Sequence, residues 1–285
     1  MKKTIKKIIR QINALGMSLF SLVSSMVFSK YNTKKYFSSV LKDSHEFNEI
    51  FILGNGSSLN TFLETHKENM PEHVMVVNYF ATTPQFRELK PKHYIMLDNN
   101  LCIKADEGNA IEQQKLIKAL LEIDWNINLY TPADSDPNLI IEFRKNKRIN
   151  LILYNRTPID GIRCFSHFLY DLRLGMPRPQ NVSNAAVFCA IAAGFNRIYL
   201  YGIEHSWTKS FDVDLETHRI FLNDGHFYEQ ENKRFLPIND YSKWLLWIHY
   251  ALESHLRLRE YADRIGVEIF NMTEQSFVEA YKYND

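Results

Sequence analysis

Ile50-Phe51-Ile52-Leu53-Gly54-Asn55-Gly56-Ser57-Ser58 decides the fold: an apolar run leads straight into a turn of two glycines and two serines. A short apolar run with β-branched residues, bounded by glycine, reads as a buried strand. Gly54 and Gly56 let a ligand approach the main chain. Ser57 and Ser58 are placed to cap a following helix whose free amides face a phosphate. An ordinary strand-to-helix turn with a serine cap fits the same residues. The turn lacks the Gly-Lys-Ser/Thr ending of a Walker loop and the third glycine of a dinucleotide fingerprint, which argues against a P-loop kinase or a nicotinamide dehydrogenase.

Further along, Val74-Met75-Val76-Val77 ends at Asn78, and Tyr94-Ile95-Met96-Leu97 ends at Asp98. Asn128-Leu129-Tyr130 and Leu151-Ile152-Leu153-Tyr154 read as further strands, and residues 110–123 have the spacing of an amphipathic helix. Residues 185–193 form a helix of small residues that stops at Gly194, a good C-terminal cap, before a strand at Arg197-Ile198-Tyr199-Leu200-Tyr201. A long helix over 241–265, a last strand at Val267-Glu268-Ile269-Phe270 and a short final helix complete the chain. Continuous apolar strands separated by helices imply a mostly parallel, Rossmann-like α/β sheet covered on both faces. We expect a single nucleotide-binding domain over 47–285. The polar and aromatic stretch 204–239 is long for a connection and reads as an inserted lid.

The first residues differ. Lys2, Lys3, Lys6, Lys7 and Arg10 precede any acid, and the first carboxylate is Asp43. Ile5, Ile8, Ile9, Ile12, Leu15, Leu19, Leu22, Val23, Met26 and Val27 recur at helical spacing, with Ser18, Ser21, Ser24 and Ser25 largely between them. A signal peptide shares the basic-then-apolar order. A spanning helix needs about twenty apolar residues, and polar groups interrupt this run. A helix packed on its own domain or on a partner has the same periodicity. The reading adopted is a basic amphipathic, membrane-associating segment over 1–46, peripheral on the cytoplasmic face of the inner membrane.

The whole chain of 285 residues, 45% hydrophobic and 24% charged, has ordinary globular composition and enough length to bury a core. Its formal net charge of +1 argues against a general nucleic-acid binder, which needs a broad basic field. Cys102, Cys164 and Cys189 form no CxxC pair, so neither a disulfide framework nor a zinc knuckle is indicated, and a reducing compartment fits. Cys189 lies in an apolar helical run and reads as a small buried hydrophobe.

Ligands of open α/β sheets bind beyond the carboxyl ends of the strands. Asn55, Asn78, Asp98, Tyr201 and Glu204 each stand at or just beyond the end of an apolar run, so they are expected to converge in space. Gly54-Asn55-Gly56-Ser57-Ser58-Leu59 resembles the Gly-Asn-Gly-Pro-Ser-Leu opening of the bacterial sialyltransferases of glycosyltransferase family 42. It also resembles a broader group of surface-polysaccharide and motility-associated proteins. Ala192-Ala193-Gly194-Phe195-Asn196-Arg197-Ile198-Tyr199-Leu200-Tyr201-Gly202-Ile203-Glu204 is similar to that family's helix, Gly-aromatic step, Ile-Tyr-Leu strand and Gly-Ile-Asp ending.

The resemblance implies a GT-A-like variant of the fold, a CMP-linked sugar donor, a transfer that needs no metal or other cofactor, and a histidine base. By the same resemblance, Asn55, Gly56 and Ser58 hold ribose and phosphate, with Asn78 and Asp98 nearby; Gly54, Ser57, Tyr201, Gly202 and Glu204 complete the expected nucleotide site. Ser183 and Asn184 match a donor-contacting stretch. The family's two phosphate-holding lid tyrosines fall near Ser206 and Lys209, a lysine being able to act electrostatically. The family's Tyr-Ile-Gly-His base motif is absent.

His226, in Asn223-Asp224-Gly225-His226-Phe227-Tyr228, is the first candidate base, beside a glycine and close to Asp224. An imidazole titrating near neutrality can take a proton from an attacking sugar hydroxyl. His205, next to Glu204 at a strand end, is the second; His218, His249 and His255 read as structural. Asp212-Val213-Asp214 resembles the Asp-x-Asp of metal-dependent sugar transferases but follows no clear strand, and no metal site is assigned.

The expected function is inverting, metal-independent transfer of sialic acid or a related acidic sugar to a cell-surface or lipid-linked glycan acceptor. A homo-oligomer is compatible with it. The alternatives are a metal-dependent transferase using a nucleotide-diphosphate sugar, a pterin pyrophosphokinase-like enzyme, and a non-catalytic membrane-tethered nucleotide- or glycan-binding module.

Overall fold

A computed structural model describes residues 2–40, 48–103, 110–224 and 232–283. Its centre is an eight-stranded sheet made of β1 (Glu49–Leu53), β2 (Val74–Val77), β3 (His93–Ile95), β4 (Ile127–Pro132), β5 (Ile149–Tyr154), β6 (Arg197–Tyr201), β10 (Glu268–Asn271) and β11 (Lys282–Tyr283). Between β6 and β10 the chain adds a separate antiparallel sheet of β7 (Phe211–Val213), β8 (Ile220–Asp224) and β9 (Asn232–Phe235). The spatial order of the large sheet is β11-β10-β6-β1-β2-β3-β4-β5, and every neighbouring pair is parallel.

In β2 and β3 every residue is buried, which is why those strands read as unbroken apolar runs, whereas β1, β6 and β10 alternate buried with half-buried residues. Alternate residues go to opposite faces. Ile50, Ile52, Met75, Val77, Ile198 and Leu200 pack with the helices Val182–Ala193 and Tyr241–Ile265. Leu53, Val74, Val76 and Tyr94 pack on the other side with Leu59, Phe62, Phe86, Leu116 and Leu120. Strands β1 to β5 step outward in one direction, and β6 then returns to the opposite flank of β1. The order reverses there, and the crevice at such a reversal is where open α/β sheets take their ligands.

Val74–Val77, Arg197–Tyr201 and Tyr241–Ile265 lie where the sequence places them. Gly194 caps its helix with a left-handed φ of 99°, and Cys189 is fully buried. Among the described residues no final helix forms: after β10 the chain turns and adds β11 as a parallel edge strand. The polar groups of that turn bond outward to the sheet instead of along a helix. Thr273 Oγ1 accepts from Ile203 N (3.1 Å), Ser276 Oγ donates to Ile203 O (2.7 Å), and Asn271 Nδ2 donates to Val278 O (3.1 Å).

The N-terminal helix Lys2–Phe28 packs with its serines inward. Ser18, Ser21, Ser24 and Ser25 are buried, whereas Ile12, Leu15, Leu19, Phe20, Val27 and Phe28 are between 62% and 71% exposed. The inward serines satisfy backbone groups of the domain. Ser18 Oγ accepts from Ile162 N (2.8 Å), and Ser21 Oγ both accepts from Asp160 N (2.9 Å) and donates to Asp160 O (3.0 Å). Gly161, at φ +114°, allows this approach; a Cβ there would lie 2.3 Å from Ser18 Oγ. By length and composition the stretch Thr4–Phe28 is apolar enough to cross a membrane, with a mean hydropathy of 1.4 in its best window.

Candidate functional site

Where β1 and β6 end side by side, the glycine turn folds over the tip of β6. Gly54 N donates to Tyr201 O (2.8 Å) and Gly56 N to Gly202 O (3.0 Å). The two backbones are so close that a Cβ on Gly54 would lie 2.2 Å from Gly202 O. Beyond these ends lies a pocket of about 330 Å³. Gly54, Asn55, Gly56 and Ser57 line it from β1; Asn78 and Tyr79 from β2; Asp98 from beyond β3; and Gly202, Ile203, Glu204, His205 and Ser206 from β6. The opposite wall is Asn181, Val182 and Ser183, with Trp207 and Ser210 at the start of the inserted segment.

The turn does not present its helix amides as the sequence suggests. Ser58 N donates to Glu204 Oε1 (2.8 Å), and a Cβ on Gly56 would lie 1.4 Å from Glu204 Oε2. The place expected for a phosphate is therefore taken by a carboxylate of the chain itself. Ser58 caps no amide with its side chain; its Oγ is buried without a hydrogen-bond partner among the described residues. Asn55 Oδ1 is buried and unpartnered in the same way, while its Nδ2 reaches Val77 O at 3.5 Å. An orphaned acceptor in a pocket wall is expensive unless a ligand or water completes it.

Glu204 and His205 are pinned from behind by the C-terminal turn: Phe277 N donates to Glu204 O (2.7 Å), in addition to the two bonds on Ile203. Asn78 and His205 both carry positive φ, +43° and +49°, an uncommon backbone state for residues other than glycine. Asn78 Oδ1 accepts from Leu97 N (3.1 Å), which ties the end of β2 to the segment after β3 and leaves the amide NH2 for the pocket. Asp98 Oδ1 accepts from Asn100 N (2.9 Å) and caps the short helix Asn99–Cys102.

Other expected residues stand elsewhere. Asn184 is fully buried; it closes a capping box with Asn181 and donates to Ala251 O (3.1 Å), so it supports Ser183 from behind. Tyr201 turns to an aromatic group with Phe51, Phe62 and His66 on the sheet's other side. Lys209 does not line the pocket; its Nζ lies 5.0 Å from the centre of the Phe277 ring. Asp212 is exposed on β7, and Asp214 accepts from Thr217 in the adjoining turn. Among the described residues no three acidic, histidine or cysteine side chains are grouped to hold a metal. His226 lies outside the described residues.

His255, which reads as structural from its helix, is buried on the pocket side of it. Its Nε2 is 3.1 Å from His205 Nε2, Ser183 Oγ lies 3.3 Å from both, and its Nδ1 meets Tyr281 OH at 2.8 Å. Only one proton fits between the two Nε2 atoms, so one imidazole donates and the other accepts. Burial pushes His205 down to about 3, and burial plus the neighbouring His205 holds His255 well below 6.5. Both rings are neutral at neutral pH. His205 also stacks on Trp207, with centroids 4.3 Å apart.

The wall as described carries the carboxylates of Asp98 and Glu204 and no lysine or arginine. Burial, then the charge of Asp98, raises the Tyr79 hydroxyl above its ordinary value. The sequence signalled most of this wall through its strand ends. It gave no signal for His255, which sits mid-helix, or for the C-terminal turn that positions Glu204. Compared with known protein families the chain matches no family model, and no similar sequence is found among curated proteins.

Proposed function

We propose that the protein is an inverting glycosyltransferase that moves sialic acid or a related acidic sugar from a CMP-linked donor to a cell-surface glycan. The observation that carries this reading is the pocket at the reversal of strand order, where the glycine turn meets the strand-end side chains of Asn55, Asn78 and Asp98. Asn55 Oδ1 and the Glu204 carboxylate are suited to receive the hydroxyls of a ribose, as carboxylates do in related sheets. The neutral donors at Asn78 and Ser183 suit a single phosphate.

In the proposed reaction the acceptor hydroxyl attacks the anomeric carbon, the bond from that carbon to the phosphate oxygen breaks, and the hydroxyl proton passes to a base. His226 is the proposed base. His205 is the weaker choice, because burial opposes the imidazolium it would have to form. The inserted segment 204–239 is proposed to close over the donor.

The N-terminal helix is proposed to lie on the cytoplasmic membrane surface, close to lipid-linked acceptors. Its outward apolar face and basic start support this. A helix crossing the bilayer would forfeit the Ser18 and Ser21 bonds to the domain.

Transfer from a CMP-sugar to a glycan acceptor in the presence of a chelator tests the reading. Turnover is expected to persist, and His226→Ala is expected to lower kcat by about 100-fold or more. Turnover abolished by the chelator and restored by a divalent cation would contradict it.

A further inference from the structure

A second cleft, of about 250 Å³, lies between the N-terminal helix at Ala14 and Met17 and the long helix at Tyr250. Four charged residues line it, Asp160, Arg178, Glu253 and Arg257. Two neutralise each other: Arg257 donates to Glu253 Oε1 at 3.0 Å, and His249 lies 3.5 Å from the same carboxylate. The other two do not pair. The guanidinium carbon of Arg178 lies over the Tyr250 ring, 4.3 Å from its centre, and the side chain forms no ion pair among the described residues. Asp160 uses only its backbone N–H and C=O, both with Ser21, and its carboxylate has neither an ion pair nor a hydrogen bond among the described residues.

Two oppositely charged residues that border one cavity without pairing with each other leave room for an occupant carrying both opposite charges. The surroundings say where that occupant comes from. The N-terminal helix exposes Leu15, Leu19 and Phe20 beside the cleft positions, and the long helix exposes Leu246 and Trp247 one turn before Tyr250. Apolar strips on both flanks suit acyl chains, with the polar recess between them at headgroup level.

We propose that this cleft seats the headgroup of a zwitterionic membrane phospholipid carrying a primary ammonium, with the phosphate on Arg178 and the ammonium on Asp160. Arginine offers a planar fork for phosphate oxygens, and here it rests over the Tyr250 ring. A primary ammonium donates hydrogen bonds to a carboxylate; a quaternary one does not. The seat would hold the helix parallel to the surface and fix which side of the domain faces the bilayer. The inference rests on the membrane part of the proposed function, not on its nucleotide.

Co-sedimentation of the full chain with vesicles tests it. One set is phosphatidylcholine with a minor fraction of phosphatidylglycerol; in the other, half of the phosphatidylcholine is replaced by phosphatidylethanolamine. The wild-type protein is expected to bind the second set about tenfold more tightly, the gain of one charge-assisted hydrogen-bonded pair. Asp160→Asn and Arg178→Gln are each expected to lose that preference while keeping the wild-type melting temperature and the binding due to phosphatidylglycerol.

Equal binding of both sets by the wild type overturns the proposal. So does a preference that survives either substitution, which would mark a lipid-packing effect on the helix. Binding to no vesicle at all overturns it together with the membrane part of the proposed function, whereas nucleotide binding is read separately.

Discussion

Gly56 and Glu204 are the residues on which the turn depends. The carboxylate occupies the space of the missing Cβ and bonds the Ser58 amide, so Gly56→Ala must push Glu204 aside. That leaves a half-buried amide unpaired, and a loss of about 1 kcal/mol in chemical denaturation is expected, with weaker nucleotide binding. The histidines make a second prediction. His205 is held at about 3 in the fold against an ordinary value of 6.5, and buried His255 and His93 are lowered as well. The unfolded chain therefore takes up these protons first as pH falls. Stability is full above about pH 6.5 and is lost as pH drops toward 3, by up to about 1.4 kcal/mol per pH unit for each such imidazole. Denaturant midpoints measured across that window should show the decline, and His255→Gln should flatten it. At this scale Asn55, Asn78 and Asp98 were legible as pocket residues, because polar residues at strand ends converge by topology, whereas Ser183 was pointed to only by the family resemblance. Glu204 was legible as a pocket residue but not as the partner of Ser58, since that contact depends on two chain segments 146 residues apart meeting at one point.

Among the elements, the buried strands and the long helix were legible because apolar period and length mark them directly. The final helix was not. The segment after β10 carries helix-forming residues, yet its backbone is drawn to the sheet by Asn271, Thr273 and Ser276. The N-terminal helix shows a further limit of periodicity, which finds two faces and does not say which one packs inward. Here the serines pack inward, through hydrogen bonds to the 160–162 backbone, and the larger apolar side chains remain outside. Gly161→Ala is expected to loosen this docking, because the new Cβ meets Ser18 and the positive φ becomes strained. Hydrogen exchange should then quicken over residues 18–29 and stay unchanged in β1 and β2. Ser21→Ala should act in the same direction, costing about 1–2 kcal/mol as Asp160 loses partners on both its N–H and its C=O.

For the molecule as a whole, the parallel class of the sheet followed from the alternation of strands and helices, whereas the strand order required the structure. The return of β6 to the flank of β1 brings the glycine turn, the Asn78 end and the Glu204-His205 segment to one crevice. It also places the 211–235 insertion directly after that crevice in the chain. The same fold sets the N-terminal helix against the 160–162 loop, on the side of the second cleft.

The central claim is that the first pocket binds a nucleotide with a single phosphate, and thermal unfolding in the presence of a nucleotide panel tests it most directly. CMP at about one hundred times its Kd should add about 2.7 kcal/mol and raise Tm by several degrees, and Gly56→Ala should remove the effect. Stabilisation by ATP with no response to CMP would contradict the account.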